Sequence, residues 1–598
     1  MADSNTPPFN LPNVNLPDTQ KLAENLGKIA ERSQSLVQEF AARDNFQVPD
    51  PGIVAKSFLE LSQKLLADPA KIIEAQMNFW QEYLNVVQAT TRRLAGETVE
   101  PVVKPAPDDK RFKDEAWVEN AVFDFIKQSY LLAARTIHKT ATGVEGLDTK
   151  TAQRVEFYTR QYIDALAPTN FALTNPRVVK ETLESGGENL IKGLANLLED
   201  LDRGKGKLRV RMTDLEAFEP GKNVAATPGK VVFQTPLMQL IQYTPTTEEV
   251  YQKPLLIVPP WINKYYILDL GPKNSFIKWA VDQGFTVFTI SWVNPDETLA
   301  DKNFEDYLKE GTLAALDAIR EATGEKEVVA ASYCLGGTLL MSTLAYLAAK
   351  RDNRIKAATC FTTMLDFSEP GELEVFIDEE QIELIEKHME EKGYLEGTAM
   401  SGVFNMLRAN DLIWSSVVNN YLMGKDPMAF DLLYWNSDST RMPRKMHSFY
   451  LRNMYLNNKL KDAGGITLLG QPIDLAKIKT PVFFLSTKED HIAPWTSTYK
   501  GTQLLGGPVK FVLGGSGHIA GVINPATSKK YGFQTNDKLP PNAGDWLAGA
   551  EQHDGSWWNH WKTWVEPMVG EKVPARQPGG GKLTPIEDAP GSFVKVRI

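Results

Sequence analysis

The chain has 598 residues, 42% of them hydrophobic and 23% charged, which excludes a peptide, a single small domain and a wholly disordered chain. Sixty-five basic against 75 acidic side chains leave a net charge of −10, a balance that argues against nonspecific binding to nucleic acid or anionic lipid. Two cysteines allow one disulfide at most, and neither a secretory leader nor a run of about 18 apolar residues is visible. The expectation is a soluble, cytoplasmic, globular protein with no membrane span.

In chain order, residues 1–20 are rich in Pro and Asn and read as a flexible arm. Residues 21–205 read as a mainly helical N-terminal domain. Its first stripe is Leu22, Leu26, Ile29, Leu36, Val37 and Phe40, and further helical stretches follow over 53–67 and 69–96. The second of these carries Ile73, Met77, Trp80, Leu84 and Val87. A Pro-rich linker, TVEPVVKPAPDDKR, precedes a helical tract over 114–202, interrupted at APTNF and TNP.

After GKGK the grammar changes, and 206–598 reads as a catalytic domain. Six short apolar runs alternate with helical segments: KPLLIVPP, FTVFTISW, EVVAASYC, IKAATCFTTML, PVFFLST and PVKFVLGG. Runs apolar on both faces, alternating with helices, imply a parallel sheet covered on both sides. The interval 366–479 is far longer than a crossover helix requires and reads as an inserted cap subdomain.

The third run ends in VVAASYCLGGTLL and a helix begins at once. A strand, one reactive residue flanked by small residues two positions either side, then a helix is the nucleophile-elbow pattern, with Cys334 as the reactive residue. Small residues at Ser332 and Gly336 avoid collision with the adjacent strand and helix, and Gly336 and Gly337 permit the tight turn. Cys334 then lies at a helix N-terminus, where unpaired N–H groups favour thiolate and, beginning with Leu335, can stabilise an oxyanion. By itself Cys334 reads equally well as a cysteine packing a strand end, the role assigned to Cys360. The order of its partners decides.

An elbow enzyme has the chain order nucleophile, acid, histidine, with the last two on loops after later strands. PVFFLST is followed by KEDHIAP, which places Asp490 past a strand end, and the next strand runs into GGSGHIAG, which places His518 past its own. Of the seven histidines, His518 alone directly follows a strand within a glycine-rich loop. His491 shares the loop of Asp490 and reads as a pocket neighbour. In such a triad His518 takes the thiol proton while Asp490 holds the ring and stabilises the imidazolium. The second oxyanion donor is expected from VPPWINKYY, with the Ile262 N–H as its candidate. A cysteine suits exchange between thioesters, and a cap that excludes water favours attack by an alcohol over hydrolysis.

The chain resembles the class I polyhydroxyalkanoate synthases. The likeness is carried by GKNVAATPGKVV, QLIQY, PPWINKYYILDL, SWVNPD, SYCLGG, LLYWNSDSTRMP, KEDHIAPW, GGSGHIAGVINP and GSWWNHWKTW, with TNFALTNP and GGENLIKGLANL in the N-terminal half. The first 110 residues carry little of it. The resemblance implies an α/β-hydrolase core with a mobile cap, and an acyltransferase that condenses (R)-3-hydroxyacyl-CoA into polyester with release of coenzyme A. Short acyl chains of about three to five carbons are favoured, 3-hydroxybutyryl-CoA among them. It implies Cys334 as nucleophile, His518 as its activator and Asp490 as third member or as a helper in deprotonating the incoming 3-hydroxyl. It further implies a homodimer, association with polyester granules and with granule proteins through the N-terminal region, and no cofactor or metal. The family's box opens with glycine two residues before the cysteine; here Ser332 stands there, a departure that bears on elbow geometry and acyl selectivity. The rival functions are a thioesterase or ester hydrolase on the same fold and a catalytically silent granule scaffold.

Overall fold

The computed structural model describes residues 50–597, so the expected arm over 1–20 and the stripe over 22–40 lie outside the described residues. The described residues divide into two compact units, one of 50–215 with 404–429 and one of 216–403 with 430–597.

Among the described residues, the regular elements of the first unit are all helices. Its helices are α1 (Pro51–Ala67), α2 (Pro69–Leu94), α3 (Ala121–Thr142), α4 (Thr149–Ala165), α5 (Pro176–Glu184) and α6 (Glu188–Arg203). The starts are written in the sequence: Asp50, Asn120 and Asp148 each accept two first-turn N–H groups, and proline occupies the first turn of α1, α2 and α5. Helix α2 packs through Phe79, Tyr83 and Val86 onto Phe125, Leu131 and Leu132 of α3. The stripe Ile73, Met77, Trp80 and Leu84 is exposed instead, because the aromatic pair one position away fills the interhelical groove.

The interval 366–479, expected as one cap, does not stay together. Segment 404–429 belongs with α6: Asn189 donates to the Leu422 carbonyl at 2.8 Å, Asn196 to that of Asn420 at 3.1 Å, and the Tyr421 hydroxyl to Asp200 at 2.7 Å. Gly193 lets the two backbones meet, since a Cβ there would collide with the Tyr421 carbonyl. The helical unit also runs ten residues past the expected boundary at 205, to Leu215. There Arg211 turns back onto Asp200, 2.7 Å away.

The second unit is built on an 11-stranded sheet. Its strands are β1 (Gly229–Gln234), β2 (Met238–Tyr243), β3 (Leu255–Val258), β4 (Val287–Trp292), β5 (Val328–Tyr333), β6 (Ile355–Phe361), β7 (Val482–Thr487), β8 (Val509–Gly514), β9 (Phe533–Thr535), β10 (Glu551–His553) and β11 (Glu587–Asp588). They lie in the order β10-β9-β8-β7-β6-β5-β3-β4-β2-β1-β11. The stretch from β8 to β4 is parallel throughout, and its strands are the six apolar runs of the sequence. Every residue of β3, β4, β5 and β7 is buried, which is why these strands read as unbroken apolar runs. Antiparallel strands extend both edges. The sheet is the α/β-hydrolase core, and helix α7 (Leu335–Ala349) crosses it almost wholly buried.

Between the core strands, His447 sits buried on the helix Arg444–Tyr450 with its Nδ1 unpaired, and burial pushes its pKa down to about 4. The unfolded chain binds a proton on this ring from about pH 6.5 downwards while the folded chain refuses it until about pH 4. The stability this ring contributes is therefore complete above pH 6.5 and lost as pH falls. Urea unfolding at pH 7 and pH 5 should show His447→Gln losing about 2 kcal/mol less than the parent over that interval. Equal losses in the two proteins would sink the assignment.

Candidate active site

The turn from β5 into α7 holds Cys334 at φ 50° and ψ −121°. Such a backbone costs a non-glycine residue roughly 1–3 kcal/mol, so its surroundings must impose it. They do so from β6: the Cys334 N–H donates to the Phe361 carbonyl at 2.8 Å, and the Thr363 hydroxyl donates to the Cys334 carbonyl at 3.2 Å. The Gly337 N–H donates to that same carbonyl at 2.8 Å. The two glycines after the cysteine are required by space. A Cβ at Gly336 would collide with the Val258 carbonyl and Pro259, and one at Gly337 with the side chain of Thr363.

Ser332 fits because its side chain turns the other way, donating to the Thr359 carbonyl at 2.8 Å within the β5–β6 pair. The departure from glycine is thus absorbed by β6, away from the β3 loop that presses on Gly336. Cys334 is half-buried, whereas Cys360 is fully buried and its thiol is pushed up to about 12 by that burial.

The strand pairing Val258 with Ser332 brings the loop after β3 over the start of α7. The flanks of Ile262 are fixed: the Trp261 carbonyl accepts from the Thr440 hydroxyl at 2.6 Å, and the Asn263 N–H donates to that hydroxyl at 3.0 Å. Among the described residues the N–H groups of Ile262 and Leu335 have no acceptor. Leu335 thus carries an unsatisfied N–H directly after Cys334, and Ile262 carries another in the loop that follows β3.

Asp490 and His518 follow β7 and β8 and meet. His518 Nδ1 lies 2.7 Å from Asp490 Oδ2, and Cys334 is near enough to act on the ring electrostatically. The two loops are tied by the Glu489 N–H, which donates to the Ser516 carbonyl at 2.9 Å. The His518 carbonyl accepts from the Tyr333 hydroxyl at 3.0 Å, and the indole N–H groups of Trp557 and Trp558 hold the Gly521 and Val522 carbonyls at 2.9 and 3.0 Å. Asp490 is saturated: Oδ1 accepts from the N–H groups of Ile492 and Ala493 at 2.9 and 2.8 Å, and Oδ2 receives His518 and, at 3.4 Å, Thr487.

Burial is the largest single influence on His518 and opposes its charge. The carboxylate of Asp490 and the sulfur of Cys334 outweigh it and push the ring up to about 10. His518 is therefore an imidazolium at neutral pH, held against the side chain of Asp490. His491 stands beside Asp490, half-buried, with its carbonyl against Gly371. Among the described residues there is no cluster of side chains that could hold a metal ion, and no helix is long and apolar enough to cross a membrane.

Two site residues were missed from sequence, Tyr450 and Tyr455. Their rings are 5.4 Å apart, with Phe367 5.0 Å from Tyr455. Both phenols are driven upwards, by burial first and then by Tyr455 in the case of Tyr450 and by Cys334 in the case of Tyr455, so both stay neutral. Residues five apart share no face of an α-helix; the π-helical stretch Leu451–Leu456 is what aligns them.

Comparison with known proteins agrees with this architecture. Residues 108–280 match the family model described as "Poly-beta-hydroxybutyrate polymerase (PhaC) N-terminus", and residues 254–525 match that of the alpha/beta hydrolase fold. The chain is 51% identical over 596 residues to the poly(3-hydroxyalkanoate) polymerase of Methylorubrum extorquens, covering 97% of this chain and 98% of that protein. It is 49% identical to the poly(3-hydroxyalkanoate) polymerase subunit PhaC of Rhizobium meliloti, with 96% and 94% covered. The corresponding subunit of Cupriavidus necator is 42% identical, with 88% and 89% covered. With that extent of identity, on an α/β-hydrolase sheet, the chain belongs to the poly(3-hydroxyalkanoate) polymerase family.

Proposed function

We propose that this protein is an acyltransferase that polymerises (R)-3-hydroxyacyl-CoA, short-chain units such as 3-hydroxybutyryl-CoA foremost, into polyhydroxyalkanoate through a thioester on Cys334. The reading extends to a homodimer in the cytoplasm at the surface of polyester granules, with granule proteins as partners of the N-terminal region and with no cofactor. The observation that carries it is a sulfur, rather than an oxygen, at an elbow paired with an imidazolium in a protein whose relatives are named for polymerisation.

The residues suit a two-stage cycle. The sulfur of Cys334 attacks the acyl carbonyl, the oxyanion rests on the N–H groups of Leu335 and Ile262, and the bond to the CoA sulfur breaks. The departing thiolate takes the proton of His518, leaving a neutral imidazole. That imidazole then accepts the proton of an incoming 3-hydroxyl, whose oxygen attacks the thioester, forms the ester bond and releases the Cys334 sulfur beside a restored imidazolium. Asp490 acts in this cycle through His518 rather than on the hydroxyl. Its side chain is 0% exposed and all its acceptor positions are taken by His518, Thr487 and two backbone N–H groups.

Thiol chemistry separates the two cysteines. Iodoacetamide at pH 7 should label one thiol per native chain; Cys334→Ala should abolish the label and Cys360→Ala should leave it. Labelling that survives Cys334→Ala would remove Cys334 from the role of nucleophile.

Incubation with (R)-3-hydroxybutyryl-CoA tests the reaction. Release of CoA together with insoluble polyester is expected, and free acid alone would make the protein a thioesterase. Cys334→Ser should retain the fold and lose activity by about 100-fold or more, because a hydroxyl is a far weaker nucleophile and leaving group at this pH. If polymer accumulates undiminished in cells carrying Cys334→Ala, the protein is a scaffold. His518→Gln should lower both CoA release, by about 100-fold or more, and the rate of Cys334 alkylation. Unchanged alkylation would place His518 outside the triad.

A further inference from the structure

Two residues beyond Ile262 stands a lysine with no part in the chemistry above. The Lys264 side chain is 3% exposed, and a buried ammonium is unfavourable unless every proton on it is used. Three oxygens surround it. Nζ donates to the carbonyl oxygens of Val594 at 2.7 Å and Val596 at 2.9 Å, and is ion-paired with Asp438 Oδ1 at 2.8 Å. Asp438 is equally buried, and its other oxygen accepts from the Tyr266 hydroxyl at 2.8 Å. Arg597 lies 3.7 Å from Asp438 and 4.3 Å over the ring of Tyr434.

The segment 592–597 is secured at other points as well. The Phe593 N–H donates to Gln239 at 3.1 Å, Val594 is buried, and Asn294 donates to the Val596 carbonyl at 3.3 Å while accepting from the Arg441 N–H at 3.0 Å. On the opposite side, the Lys264 carbonyl accepts from the Trp435 indole at 2.7 Å, and Thr440 binds both Trp261 and Asn263. The loop 261–264 is thus clasped at both ends, with the unsatisfied Ile262 N–H between the clasps. An alkyl side chain in place of lysine would fill this volume without burying a charge, so packing alone does not account for it.

We propose that segment 592–597 is a strap that sets the oxyanion loop, with Lys264 the positioning residue that grips two of the strap's carbonyl oxygens and so holds the Ile262 N–H on the acyl oxygen. This rests on the proposed acyl transfer, because the strap acts on a step in which an oxyanion forms. Alkylation of Cys334 by iodoacetamide is a displacement at saturated carbon with no oxyanion, so the two reactions separate the loop from the triad.

The experiment compares the full chain with three variants: Lys264→Met combined with Asp438→Asn, which leaves no orphaned charge; Lys264→Arg, which keeps donors for the carbonyls; and truncation after Ser592. CoA release from (R)-3-hydroxybutyryl-CoA, the alkylation rate and Tm are measured on each. The strap reading expects kcat to fall about 10- to 100-fold in the double variant and the truncation, the range of one weakened oxyanion donor. KM and the alkylation rate should stay within about twofold, and Lys264→Arg should recover part of kcat. If kcat of a folded variant stays within about twofold of the parent, or if alkylation falls in step with kcat, the strap does not act through the oxyanion loop. If the truncation fails to fold, the double variant decides by the same criteria. A parent chain that alkylates normally and releases no CoA overturns the acyl-transfer reading, and the strap with it.

Discussion

Everything at this site depends on one backbone conformation, the positive φ of Cys334 between β5 and α7. A relaxed turn would point the sulfur into the sheet or away from His518. The strain is distributed over neighbours that have no choice. The Phe361 carbonyl is the continuation of the β6 ladder, Thr363 reaches back from the next turn, and Gly336 and Gly337 admit the β3 loop and Thr363 to contact. Because three elements share the constraint, no local rearrangement relieves it, and a reactive conformation becomes part of the fold's own stability.

The same sharing explains what was legible in the sequence. The six parallel strands were visible because burial on both faces leaves continuous apolar runs, and the order of Cys334, Asp490 and His518 was visible because each follows such a run directly. The edge strands were not. Phe533–Thr535 and Glu551–His553 are three residues each with mixed burial, too short to carry a period. The affiliation of 404–429 was hidden for a different reason: it rests on Tyr421 finding Asp200 and on backbone contact at Gly193, pairings between residues far apart in sequence. Tyr450 and Tyr455 escaped because their alignment requires a π-helical turn, and no α-helical spacing rule reveals it.

The tryptophan tract 557–564 packs and fixes at the same time. Trp561 is buried and its N–H donates to Thr359 at 2.8 Å. Two of its neighbours also hold carbonyls of the His518 loop, at Gly521 and Val522. A core residue with one polar atom therefore serves twice, its ring filling volume and its N–H fixing a loop that a purely apolar side chain would leave mobile. Tyr333 does the same from inside β5, so the sequence neighbour of Cys334 grips the backbone of His518.

Two buried lines of charge run through this unit, and comparing them distinguishes structure from chemistry. In the first, Lys264 is hydrogen-bonded to the Val594 and Val596 carbonyls and ion-paired with Asp438, whose other oxygen accepts from Tyr266. In the second, Asp490 is just as fully occupied and His518 is held on Nδ1, but Cys334 is only half-buried and the N–H groups of Ile262 and Leu335 have no acceptor among the described residues. Burying unsatisfied donors is unfavourable, so a fold that keeps them fixed in place stabilises whatever completes them. In the proposed acyl transfer, the group that would complete both donors is the oxygen of a carbonyl carbon under attack. Incomplete valences, rather than residue types, set the second line of charge apart from the first.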